Sequence, residues 1–312
     1  MPPFDPLFRN PHLQTIAGSC WPRPPAGVPL EHRLYRTEPG VQVLVASQRP
    51  AGKTAGEIVM VHGLEGSGAA GYMRGMAAAA VRAGFAAYSF HMRTCGGSQR
   101  LCHTLYHAGL TSDLLAVLRQ FQSEGRAPAV LVGFSLGGNV VLKLAGELGE
   151  AARPLIRSVC AVSTPLDLEA AARRLAAPEN RLYNRRFVRG MRARLCSTGR
   201  YRKVDFAGIR TVRDIDDRIT APSFGFGDAA HYYRTQSALG YLAGVRVPVL
   251  LVQAKDDPLV PFQVFESEAV RSNPWIHLLA AAHGGHLGFI GRAPCRFWAE
   301  HAILRWVSEQ KL

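Results

Sequence analysis

Lysine is scarce in this chain, occurring only at positions 53, 143, 203, 255 and 311, so arginine supplies most of the net charge of +14. Also absent is any uninterrupted apolar run of about 18 residues or more, the length a membrane-spanning helix needs. Six cysteines (Cys20, Cys95, Cys102, Cys160, Cys196 and Cys295) are scattered without a C-x-x-C pair. That pattern argues against a disulfide framework and for reduced thiols in a cytoplasmic protein. Met1-Pro2-Pro3-Phe4-Asp5-Pro6 has no basic segment followed by an apolar stretch, so it does not read as a secretory signal. No internal repeat, long low-complexity tract or recognised nucleic-acid module is present, and a nucleic-acid partner is not expected despite the charge. The arginines are mostly dispersed. The exception runs from Arg181 through Arg185, Arg186, Arg189, Arg192 and Arg194 to Arg200, Arg202 and Lys203. Its plainest meaning is a solvated helix face, and its alternative is attraction to an anionic substrate, an anionic lipid or a peripheral membrane surface.

What is present is an ordinary globular balance, with 47% apolar and 19% charged residues over 312 positions. That is enough for one large α/β domain with an insertion. The first 29 residues are Pro-rich and aperiodic, and read as an extended arm over the core. Strand patterns at 30–36 and 41–48 flank the turn Glu38-Pro39-Gly40. Buried-strand runs then alternate with helical segments: 57–61, helix 72–83, 85–90, helix 111–122, 130–133, helix 140–148, and 156–162. From 165 to 242 helical, Arg-rich segments replace the alternation, which reads as an inserted cap. Alternation resumes with strand 247–253, a helix from 262 to about 270, strand 275–279 and a helix from 294 to about 308. Residues 30–164 and 243–312 thus form an α/β core, with a mainly parallel sheet covered on both faces.

The most informative segment is Gly133-Phe134-Ser135-Leu136-Gly137, a G-x-S-x-G match that ends a buried strand and opens a helix. A serine on such a turn needs a strained backbone, which glycines two before and two after it permit, and its hydroxyl then stands exposed over the carboxyl end of the sheet. The Leu136 N–H at the helix start points toward any oxyanion formed there. A serine hydroxyl is a weak nucleophile, so it needs a base, and the base needs an orienting acid. Two later loops offer them, in the order Ser, Asp, His that suits this architecture. Ala254-Lys255-Asp256-Asp257-Pro258 supplies Asp257, with Asp256 as the alternative acid. His283-Gly284-Gly285-His286-Leu287 supplies His286, with His283 as the alternative base. The loop His62-Gly63-Leu64 after another buried strand offers the Leu64 N–H as a second oxyanion donor, and His62 itself reads as structural. His91, Cys95, Cys102, His103 and His107 fall close together, but their spacing matches no familiar zinc pattern. Neither metal nor cofactor is expected.

These motifs, with Asn10-Pro11-His12-Leu13-Gln14-Thr15-Ile16, Glu65-Gly66-Ser67 and Gly288-Phe289, resemble the α/β-hydrolase superfamily. Within it they are similar to AB-hydrolase family 4, which holds the bacterial YheT-like hydrolases and eukaryotic relatives acting on medium-chain acyl esters and phospholipids. The resemblance runs from about Pro6 to Trp306. It implies an eight-stranded, mostly parallel sheet with a helical cap, and serine esterase chemistry on a small-molecule acyl ester. Acyl transfer to an alcohol shares the same acyl-enzyme, and a non-catalytic ligand-binding protein on this fold is the third reading. The loop His91-Met92-Arg93-Thr94 departs from the Asn-x-Arg-Gly that relatives carry. Oligomeric state is not encoded in any pattern here.

Overall fold

The computed structural model describes residues 3–310. Eight strands form one sheet: β1 (Glu31–Glu38), β2 (Val41–Gln48), β3 (Glu57–Val61), β4 (Ala86–Phe90), β5 (Ala129–Phe134), β6 (Ile156–Val162), β7 (Val249–Ala254) and β8 (Ile276–Ala281), in the spatial order β1-β2-β4-β3-β5-β6-β7-β8. The β1–β2 and β2–β4 pairs are antiparallel and all others are parallel. Every residue of β3, β4, β5 and β7 is buried, as a parallel sheet covered on both faces demands.

Side chains alternate between the two faces. Ile58 and Met60 of β3 and Val130 and Val132 of β5 pack under helix α2 (Gly71–Arg82) and the last helix, Trp298–Glu309. Val59, Val61 and Leu131 face α3 (Ser112–Ser123) and α4 (Leu136–Leu148). Each such fully buried aliphatic side chain contributes about 1.5–3 kcal/mol of transfer free energy. Between β6 and β7 the chain makes no strand. It passes through α5 (Leu168–Ala176), α6 (Arg181–Ser197), a π-turn at Asp216–Thr220 and a helix at Ala229–Gln236. Residues from these segments close over the end of the sheet that carries Ser135.

The structure differs from the sequence reading in three places. The N-terminal segment, expected to be extended, contains helix α1 (Pro11–Cys20). Asn10 starts it, its side-chain oxygen accepting from the N–H groups of His12 and Leu13 at 3.0 Å each, and Pro11 fits the first turn because its missing N–H has no helical partner to lose. The single helix expected from 262 is split, because Ser267 is extended between a 3-10 turn at Phe262–Glu266 and a short helix at Glu268–Arg271. The last helix begins at Trp298 rather than 294. The chain before it bridges Ile290 to Phe297 and Gly291 to Pro6 instead.

Candidate active site

Ser135 occupies the turn from β5 into α4 with φ 51° and ψ −119°, a region costly for any residue with a side chain. Close packing enforces it. A Cβ added at Gly133 would lie 2.5 Å from the Gly137 carbonyl oxygen, and one at Gly137 would lie 2.2 Å from that of Val61. The turn is pinned by the Ser135 N–H donating to the Val162 carbonyl at 2.8 Å and the Gly138 N–H donating to Ser135 O at 2.9 Å.

The loops after β7 and β8 meet this turn. His286 Nε2 lies 2.9 Å from Ser135 Oγ, and its Nδ1 lies 3.0 Å from Asp257 Oδ2 and 3.2 Å from Oδ1. Asp257 is 6% exposed and held by three further donors. Oδ1 accepts from the N–H groups of Leu259 (2.8 Å) and Val260 (3.1 Å), and Oδ2 accepts from Gln253 Nε2 (3.2 Å). The two alternatives form a separate pair. His283 Nδ1 lies 3.1 Å from Asp256 Oδ2, while Asp256 Oδ1 accepts from the Gly285 N–H at 3.0 Å. Asp256 and His283 therefore brace the base of the loop and make no hydrogen bond to Ser135.

Two hydroxyls position the His286 backbone. Thr15 Oγ1 on α1 accepts from the His286 N–H at 2.9 Å, and Ser163 Oγ accepts from the Leu287 N–H at 3.0 Å. Gln14, wholly buried beside Thr15, pins the same loop further on: its Nε2 donates to the carbonyls of Phe8 and Ile290, and its Oε1 accepts from the Ile290 N–H. Sequence reasoning missed all three. The unusual arm motif containing Gln14 and Thr15 was the available signal for two of them, and Ser163 had none.

Leu64 and Leu136 both line the cavity that reaches Ser135. No hydrogen bond among the described residues uses either N–H. His62 is fully buried, its Nδ1 2.8 Å from the Gly63 carbonyl and its Nε2 accepting from the Met92 N–H at 3.2 Å, and burial pushes its pKa down to about 3. It is a neutral strut under the loop. His91 is similarly spent on backbone, accepting from the Gly68 N–H through Nε2 and meeting the Leu44 carbonyl through Nδ1. Among the described residues no group of three or more His, Cys, Asp or Glu side chains is arranged to hold a metal ion. Thr94, where the sequence departs from a glycine, stands at φ 64°. Its hydroxyl accepts from Arg194 at 2.8 Å, a contact glycine could not offer.

Two spaces meet at Ser135. One is walled mainly by apolar groups including Leu105, Leu168, Leu175 and Met191. Polar groups also border it: Asp216, to which Tyr233 Oη donates at 2.6 Å, and Arg194, paired with Glu65 at 2.8 Å. The other opens between α1 and α6 and includes Ile16, Tyr183 and Arg186 in its wall.

A family model described as "Alpha/beta hydrolase family" matches residues 58–300. The chain belongs to the alpha/beta hydrolase family. Within it, YheT of Escherichia coli is 33% identical, the match covering 96% of this chain and 91% of that protein. The monoacylglycerol lipase of Saccharomyces cerevisiae is 28% identical over 80% of this chain, which spans only 58% of that protein's length. Among solved structures, an esterase of Pyrococcus furiosus superposes with a TM-score of 0.63 at 18% identity, covering 92% of this hydrolase and 96% of that chain, a likeness of fold alone. No helix among the described residues is long and apolar enough to cross a membrane.

Proposed function

We propose that this protein is a serine hydrolase of carboxylic acyl esters, with Ser135 as nucleophile, His286 as general base and acid, and Asp257 as the group that orients His286. The observation that carries this reading is the continuous hydrogen-bonded series Ser135–His286–Asp257 at 2.9 and 3.0 Å on a strained strand-to-helix turn. Ser135 Oγ attacks the acyl carbonyl as its proton passes to His286 Nε2, and Asp257 stabilises the imidazolium through Nδ1–H. The Leu64 and Leu136 N–H groups donate to the tetrahedral oxyanion, each worth roughly 2.7–4 kcal/mol in the transition state. His286 then protonates the leaving alkoxide, the acyl-enzyme forms, and a water activated by His286 releases the acid. In this reading residues 165–242 are a cap, and 1–29 an arm, on a core of 30–164 and 243–312.

The apolar cavity supports a short- to medium-chain or lipid-like acyl group, and the yeast relative's name, a monoacylglycerol lipase, points the same way. The test is labelling with a fluorophosphonate, alongside turnover of p-nitrophenyl esters of increasing acyl length. Labelling and turnover are expected in the wild type and absent in Ser135→Ala and His286→Ala. A folded wild type that neither labels nor turns over any ester supports the non-catalytic ligand-binding reading instead. Added ethanol separates hydrolysis from acyl transfer, since only transfer yields the ethyl ester in place of the acid.

A further inference from the structure

Six large apolar side chains stand exposed among the described residues, and three of them lie on α1 and α6, the two helices that contribute to the walls of the open cleft at Ser135. Leu13 and Ile16 on α1 are 51% and 52% exposed. Leu182 on α6 is 70% exposed, one residue before the Tyr183 ring that stacks on His12 of α1. Helical spacing makes each face continuous: Leu13, Ile16, Ala17 and Cys20 form one stripe of α1, while Leu182, Arg185, Arg186 and Arg189 share the outer face of α6. The inner face of α6 is different in kind. Asn184, Met191 and Leu195 are buried there, and Arg194 is paired with Glu65. Arg185, Arg186, Arg189 and Arg192 are exposed, α6 carries no acidic residue, and no ion pair among the described residues uses these four. Ile16 and Arg186 also line the open cleft that ends at Ser135, so patch and cleft share a rim.

A solvated helix face accounts for the arginines but leaves Leu13, Ile16 and Leu182 in water. A protein-binding groove accounts for the apolar groups but leaves four uncompensated cations at its edge. One partner satisfies both, a surface with phosphate charge above and hydrocarbon below. We propose that the α1–α6 face docks on an anionic phospholipid surface, with Leu13, Ile16 and Leu182 entering the headgroup boundary and the α6 arginines meeting phosphates. The cleft then opens toward the lipid. Docking itself is independent of the chemistry assigned to Ser135.

The experiment is co-sedimentation of the Ser135→Ala protein, which leaves ester lipids intact under the proposed chemistry, with vesicles of phosphatidylcholine alone or mixed 7:3 with phosphatidylglycerol. Strong binding is expected only to the mixed vesicles, weakening when sodium chloride rises from 0.1 to 0.5 M. Arg185→Glu/Arg189→Glu should lower partitioning at least about 25-fold, from roughly fivefold per arginine removed. Leu13→Ser/Leu182→Ser should lower it as well, with circular dichroism and the thermal transition verifying that each variant is folded. Absence of vesicle binding by the folded parent protein, or equal binding to both vesicle types, overturns the proposal without variants. Displacement by heparin together with indifference to Leu13→Ser/Leu182→Ser also overturns it, in favour of a soluble-polyanion site. Fluorophosphonate labelling of the wild type reports separately on the Ser135 chemistry, so the two readings fail independently.

Discussion

Asp216 is a buried carboxyl in the walls of the cavity that reaches Ser135, and replacing it with asparagine makes the cost of its burial measurable. The π-turn Asp216–Thr220 holds its carboxyl in the fold's interior, 7% exposed, with the Tyr233 hydroxyl donating at 2.6 Å. Burial pushes the pKa up from the ordinary 3.8 to about 6, against the opposing pull of the Tyr233 and Thr220 hydroxyls and of Arg194. A carboxyl with a higher pKa in the folded chain binds its proton more tightly there. Its favourable contribution is complete below about pH 3.8 and is lost as pH rises through about 6. A shift of about two units amounts to roughly 3 kcal/mol, of which about 2 kcal/mol falls between pH 4.5 and 8. Asp216→Asn keeps the size and the acceptor for Tyr233 but has no proton to lose. Its stability relative to wild type should therefore improve by about 2 kcal/mol over that interval, while the titrations common to both proteins cancel. Urea unfolding followed by circular dichroism at both pH values reads this difference. A difference constant to within about 0.5 kcal/mol would refute the reasoning, because it would mean that water reaches the carboxyl through the cavity and keeps its pKa ordinary.

Other outcomes follow from the same geometry. Thr15→Val removes the acceptor of the His286 N–H without changing side-chain volume, and should lower kcat about tenfold with KM nearly unchanged. Thr15→Ser should restore it, whereas a change confined to KM would place Thr15 in substrate binding instead. Gly137→Ala drives a Cβ to 2.2 Å from the Val61 carbonyl oxygen, and should cost about 10²-fold in kcat/KM or prevent folding, as ester turnover and circular dichroism would reveal. His283→Ala breaks only a partly exposed pair with Asp256, and steady-state ester kinetics should change by less than about fivefold. A loss as large as that of His286→Ala would reassign the base.

Ser135 was legible in the sequence because the signal for it is local: a buried strand, two glycines and a helix start lie within a few residues of one another. The sheet was legible for a similar reason, since fully buried parallel strands leave continuous apolar runs. The choice between Asp256 and Asp257 was not local. Neighbouring residues in a turn point in different directions, and here each finds its own histidine, Asp256 with His283 and Asp257 with His286. Two adjacent acids and two nearby histidines therefore make one pair that reaches the serine and one that braces the loop. Sequence order could favour an assignment but could not orient the side chains. The arm lay furthest from view. Asn10 and Pro11 explain why α1 starts where it does, yet the reason for the helix lies at the far end of the chain, where Gln14 meets Ile290 and Thr15 meets His286 across 276 and 271 positions. Hydrogen bonds of that span leave no periodicity behind. They do explain why a polar glutamine is completely buried on a helix whose opposite face is exposed. Without Gln14, the Ile290 N–H and the carbonyls of Phe8 and Ile290 would each lose a protein partner, at about 1–3 kcal/mol for every such group left unsatisfied in the interior. The arm thus acts on the candidate site through the backbone that carries His286, while the exposed face of the same helix is left free to meet another surface.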